Sequence, residues 1–212
     1  MMWPNRRDAS QWNVSYGNTF VLAFDSNIAD DSVQYAWVAN QLAGLDRLRY
    51  RHVVVFFHHP PLSSSPHGGL EVERPTAAVR TRYLPLFRRH GVRLVLTGHE
   101  HLFEHWVERY RDSTGAWQRM DQIVRSGGGA PIYTYRDEPD LSTSRRMSGA
   151  PTAKVTHLVR PGKRVKDNPH HFLVVHVDDE TMSVEYVGVD WGREFRPYKR
   201  PQRQITETAA RR

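Results

Sequence analysis

The chain has 212 residues, 39% of them hydrophobic and 25% charged, with a formal net charge of +7 and no cysteine. That composition fits one domain with a sizeable core. It excludes disulfides and thiolate metal sites, and no apolar run approaches the roughly 18 residues of a membrane span. The positive balance comes from 26 arginines against 4 lysines. They are scattered, which describes an arginine-rich surface rather than a nucleic-acid face, although arginine would also suit phosphate-bearing ligands.

Residues 1–12 form a polar segment without the apolar stretch of a signal peptide. The default expectation is therefore the cytoplasm, with export left open if a leader once preceded Met1. Thr19 to Phe24 reads as a buried strand ended by Asp25-Ser26-Asn27. Asp25 is expected to cap a turn, with metal ligation as the alternative. Asp30-Asp31-Ser32 offers a cap for a helix running to about Leu48, with Val33, Trp37, Val38, Leu42 and Leu45 on its inward face.

His52 to Phe57 is a second buried strand, and it ends in His58-His59-Pro60-Pro61. Leu62 to Pro75 is then a loop; its His67 is expected in solvent, with contact to a phosphate oxygen as the alternative. A helix follows from Thr76 to His90 with Val79, Tyr83, Leu84 and Phe87 inward, and Pro85 should kink or break it. Val92 to Thr97 is a third buried strand. Gly98 is expected to let the chain turn sharply there, and His99 and His101 follow. This strand–helix–strand unit should bring both histidine groups to one edge of a sheet, at the carboxyl ends where ligands collect.

Beyond it, Phe103 to Tyr110 and Met120 to Ser126 read as strands around a turn at Asp112 to Gly115. Gly127-Gly128-Gly129 lacks the Lys-Ser or Lys-Thr of a phosphate-binding loop and reads as a tight turn. Residues 136–170 form a long polar loop. Phe172 to Val177 and Met182 to Val189 make a hairpin through Asp178 to Thr181, and residues 191–212 are a basic tail.

The pairing of His58-His59-Pro60 with Gly98-His99-Glu100-His101, joined by strand and helix, resembles the calcineurin-like metallophosphoesterases in their purple-acid-phosphatase-like branch. The resemblance runs over residues 13–190. It takes in Tyr16-Gly17-Asn18 with Phe20 to Asp25, Phe87 to Val92, and Ser126 to Pro131. The family's first three motifs (Asp-x-His, Gly-Asp-x-x-Asp, Gly-Asn-His) have no counterpart here, since Gly17-Asn18 is followed by Thr19-Phe20. The resemblance thus implies an α/β fold, a partial four-layer αββα sandwich lacking its N-terminal strands and motifs. The strands near Phe20, Val54 and Leu94 would form one sheet, and those near Trp106, Ile123, Val174 and Val187 the other. With front strands missing, the first sheet is expected to expose an edge and an apolar face.

The family hydrolyses phosphate esters with two metal ions held close together. By resemblance, His58 and His99 would bind one ion and His101 the other, with His59 and His67 beside them or on substrate. Such ligands suit Fe, Mn or Zn. A single zinc on the three histidines is the less favoured arrangement. This chain offers imidazoles and no assignable carboxylate, so alone it is expected to hold at most one metal weakly and to be inactive. The implied substrate is a small phosphate ester, phosphomonoester or phosphodiester, or a nucleotide. Association with a missing N-terminal half is the implied partnership, and no membrane is implied. The alternative function is a non-catalytic binding module of the same fold that contacts nucleic acid or phosphorylated ligands through its arginines.

Overall fold

In a computed structural model, residues 11–65, 67, 73–190, 196–199 and 203–204 are described. The expectations for residues 1–10 and most of the basic tail lie outside them. Gln11 and Trp12, assigned by sequence to the polar segment, instead open a strand. β1 (Gln11–Tyr16) and β2 (Thr19–Phe24) form a hairpin turned by Gly17. α1 (Ser32–Ala43) is capped by Asp31, whose carboxylate accepts from Gln34 N at 2.7 Å. It ends at Gly44, short of Leu48. Its buried face is Gln34, Val38 and Leu42, with Trp37 partly buried against the core, whereas Val33 is 73% exposed.

β3 (His52–Phe57) is followed by a helical stretch in three parts: α2 (Arg74–Ala78), a π turn (Val79–Tyr83) and α3 (Leu84–Arg89). As expected, Pro85 marks a division, standing in the first turn of α3. Leu84 N–H bonds to Val79 O, five residues back, and the wider turn lets the proline enter the start of α3. β4 (Leu94–Thr97), β5 (Phe103–Arg111) and β6 (Trp117–Arg125) come next. The stretch 136–170, expected as an unstructured loop, contains α4 (Leu141–Met147) and β7 (Lys154–Val159). Asp140 caps α4 by accepting from Thr143 N. β8 (His170–Asp178) and β9 (Thr181–Asp190) form the expected hairpin, and the short β10 (Arg196–Lys199) and β11 (Arg203–Gln204) pair with β9.

The seven-stranded sheet runs β1-β2-β3-β4-β6-β5-β7, parallel from β2 through β3 and β4 to β6 and antiparallel elsewhere. The strands carrying Trp106 and Ile123 therefore belong to the first sheet, not the second. β5 and β6 are a hairpin, and hairpin partners stay in one sheet, so the parallel β4–β6 pairing draws in both. The second sheet is β8 to β11 alone.

Alternation along β3 explains the layers. Val53, Val55 and Phe57 face the helices, in one cluster with Leu22, Val38, Tyr83 and Phe87, and the Phe24 ring stacks on Tyr83 at 4.4 Å. Val54 faces the other way, with Leu94 and Ile123, onto Met182, Val184 and Tyr186 of the second sheet. Each such fully buried side chain contributes about 1.5–3 kcal/mol. Helices, large sheet and small sheet give three of the four expected layers among the described residues. β1 covers the edge of β2, and among the described residues its own outer edge is open, with Trp12 44%, Val14 49% and Tyr16 89% exposed. No helix of the described residues is long and apolar enough to cross a membrane.

Candidate metal centre

Parallel pairing of β3 with β4, Phe57 opposite Thr97, brings the two histidine groups together. Gly98 N–H bonds to His58 O at 3.0 Å and extends the pairing one step past the strands. The sharp bend falls on His99, whose φ of 67° is left-handed, and not on Gly98. The glycine matters for another reason. A Cβ there would crowd Ser126 Oγ at 3.1 Å while only touching His58 Nδ1 at 3.5 Å, so its absence makes room for the Ser126 hydroxyl.

His58 Nε2 and His99 Nδ1 are 3.0 Å apart. Two neutral imidazole nitrogens at that distance need a proton or a cation between them. The edge of a tetrahedron around zinc, with Zn–N of about 2.0–2.1 Å, is about 3.3–3.4 Å. Burial, and then the neighbouring His99, holds the His58 pKa below its ordinary value. The same causes together with His58 bring His59 down to about 4. Rings kept neutral offer lone pairs, which is what metal ligation requires, so the residues present fit the metal that the motif resemblance implies.

His59 stands beside them, its ring 4.6 Å from that of His99, and is anchored through its other nitrogen. It is 5% exposed, and its Nδ1 is 2.8 Å from Ser26 Oγ, which also accepts from the backbone N–H of His58 and His59. Ser26 follows Asp25 at the end of β2. Asp25 itself caps the following 3-10 turn by accepting from Asn27 N, in keeping with the capping role. His101 stands apart: its Nδ1 is 2.9 Å from Pro131 O and its ring stacks on Tyr133 at 4.6 Å. Among the described residues its nitrogens join neither of the two clusters close enough to share an ion, His58–His59–His99 and His67–Glu73–His99.

Glu73 corrects the expectation that the chain supplies no carboxylate. It lies just ahead of α2, with Oε2 at 3.0 Å from His99 Nε2 and 3.6 Å from His59 Nε2, and Oε1 at 3.1 Å from His67 Nδ1. His67 is thus paired and half-buried, not free in solvent. Sequence reasoning missed Glu73, Ser26 and Tyr133. The strand-end rule would have reached Ser26. Glu73 comes from a loop and has no local pattern to announce it.

The serine run after Pro61 is fastened from below by two buried glutamates. Ser64 N donates to Glu104 Oε1 at 2.8 Å, as does its hydroxyl, and the Ser65 hydroxyl donates to Glu100 Oε2. Burial pushes Glu104 up to about 7 and raises Glu100 as well. Arg80, buried in the π turn, donates through Nε and Nη2 to Pro61 O at 3.1 and 2.9 Å. An open groove of about 650 Å³ runs along the strand ends, with His58, His101, Arg125 and Ser126 on its polar side and Trp12 and Phe56 on its apolar side.

No protein-family model matches the chain. Among curated proteins, it is 26% identical to "Probable purple acid phosphatase 20" of Arabidopsis thaliana over 179 residues, 82% of this chain and 39% of that protein. It is 28% identical to the rat "Serine/threonine-protein phosphatase CPPED1" over 96 residues, 45% of this chain and 28% of that one. Among solved structures, the purple acid phosphatase PPD1 of yellow lupin superposes with a TM-score of 0.65 at 16% identity, covering 97% of this chain and 34% of that one. The chain therefore spans well under half the length of these relatives. In sequence and in fold it resembles the calcineurin-like metallophosphoesterases, in their purple-acid-phosphatase-like branch, over the part that carries His58-His59-Pro60 and Gly98-His99-Glu100-His101.

Proposed function

We propose that the chain is part of a metal-dependent phosphoesterase that hydrolyses phosphomonoesters or phosphodiesters of small molecules or nucleotides at a two-metal centre of Fe, Mn or Zn. His58 and His99 would hold one ion and His101 the other, with a carboxylate from polypeptide outside these 212 residues completing the set. The observation that carries this reading is the 3.0 Å approach of His58 Nε2 to His99 Nδ1 at the carboxyl ends of adjacent parallel strands. The metals, when bound, supply charge neutralisation and orientation of the phosphoryl oxygens. This chain's residues hold neutral imidazoles in place, present Arg125 to the groove, and anchor the loop that brings His67 to the site.

On its own the chain binds one ion weakly and turns over negligibly, because two cations without a bridging carboxylate repel each other. Hydrolysis of aryl phosphate mono- and diesters with added Mn, Zn or Fe tests this, with a His99→Ala/His101→Ala control. Metal-dependent turnover that the control abolishes would mean that this chain's own groups complete the centre. Sequencing the coding DNA ahead of Met1 tests the two-part reading. In-frame Asp-x-His, Gly-Asp-x-x-Asp and Gly-Asn-His are expected, and native coding sequence without them sinks it.

A further inference from the structure

His99 has two ring nitrogens with different surroundings. Nδ1 meets His58 Nε2 at 3.0 Å. Nε2 is buried and, among the described residues, has no aligned hydrogen-bond partner, yet Glu73 Oε2 lies 3.0 Å away. A neutral imidazole carries one proton, and the group that accepts it decides which nitrogen is bare. Histidines that ligate metals commonly donate their second N–H to a carboxylate, which fixes the ring and makes the other nitrogen a better ligand.

Glu73 is placed for that role toward more than one ring. Its Oε1 is bonded to His67 Nδ1 at 3.1 Å, and its Oε2 is within 3.6 Å of His59 Nε2, a ring already tethered through Nδ1 to Ser26. The carboxylate stands among three imidazoles that come from β3's end, β4's end and the intervening loop.

We propose that Glu73 is the positioning carboxylate of this centre: it accepts the Nε2–H of His99 and so keeps Nδ1 bare and aimed at the ion position beside His58. The inference rests on the metal-centre reading above. Glu73 acts through His99 and His67.

The test has two independent readouts on the whole chain. The first, on metal-free protein, is the imidazole N–H spectrum. His99 should show a slowly exchanging, downfield Nε2–H proton that Glu73→Leu abolishes and the near-isosteric Glu73→Gln retains at a shifted position. The second is titration with Zn²⁺ or Co²⁺ alone. Glu73→Leu should weaken binding by about 10- to 100-fold, and Glu73→Gln, which keeps an acceptor, by less. Should the leucine variant fail to fold, Glu73→Gln with wild-type affinity and an unshifted proton overturns the proposal. So does a wild-type His99 without the proton. Failure of the underlying reading looks different: His58→Ala would bind the metal as tightly as the wild type, whatever the proton shows.

Discussion

His58 and His99 leave two different strands and bring Nε2 and Nδ1 to 3.0 Å, while His59, next in the chain, turns inward to Ser26. That inward ring has an acid consequence. Its pKa in the fold is about 4, below the ordinary 6.5, mainly through burial. Between those values the unfolded chain binds more protons, so stability is present above about pH 6.5 and is lost as pH falls toward 4. His59→Asn should make the melting temperature less sensitive to acid over that window. Equal slopes for wild type and variant would count against a buried neutral His59.

Glu104 has the opposite sign. Its pKa is raised from 4.5 to about 7 by burial, so the folded state binds more protons between those values. Its contribution is complete below about pH 4.5 and is lost as pH rises through 7. The full shift corresponds to roughly 3 kcal/mol. Glu104→Gln, which still accepts from Ser64, should therefore gain stability over wild type at pH 8 but not at pH 5, as read by denaturant unfolding at both. A uniform loss at both values would contradict it.

Asp121 is wholly buried in β6, 2.6 Å from His105 Nε2 and held by Arg119 Nε and Nη2 at 2.7 and 2.8 Å. Removing one partner of a buried ion pair costs about 3–5 kcal/mol. Asp121→Ala should lose about that much in chemical denaturation, and a loss under 1 kcal/mol would show that solvent reaches the pair.

Gly127 sits where the two sheets meet. A Cβ there would stand 2.1 Å from His171 Nδ1, on a ring that is 6% exposed and stacked on Tyr186. Gly127→Ala should destabilise by about 1–3 kcal/mol, and His171→Ala in the same chain should return part of the loss.

The strands that position the centre were legible because each is a short apolar run with a turn signal, and two of them carry histidines at the end that matters. Parallel pairing of β3 and β4 followed from the helix between them. β1 was missed although Trp12, Val14 and Tyr16 alternate with Gln11, Asn13 and Ser15: its start was taken into the polar segment, and pairing with β2 shows it as a strand. β7 and α4 were hidden in the same way, in a stretch whose order comes from tertiary partners such as the β5–β7 ladder. Val33 read as core by spacing alone, but the cap at Asp31 turns the helix so that Gln34 faces inward, bonded to the Asp25 backbone. Glu73 was invisible because its partners are distant in sequence and its loop has no period. The sequence pattern picked out the histidines at the strand ends, and tertiary contacts supply the carboxylate beside them.

The most direct measurement is calorimetric titration of Zn²⁺ into the whole chain, beside His58→Ala and His99→Ala. The account predicts one ion per chain in the wild type, bound weakly, and no measurable binding in either variant. Undiminished binding in both variants, or no binding by the wild type, would contradict the pairing of His58 with His99 as the seat of the metal.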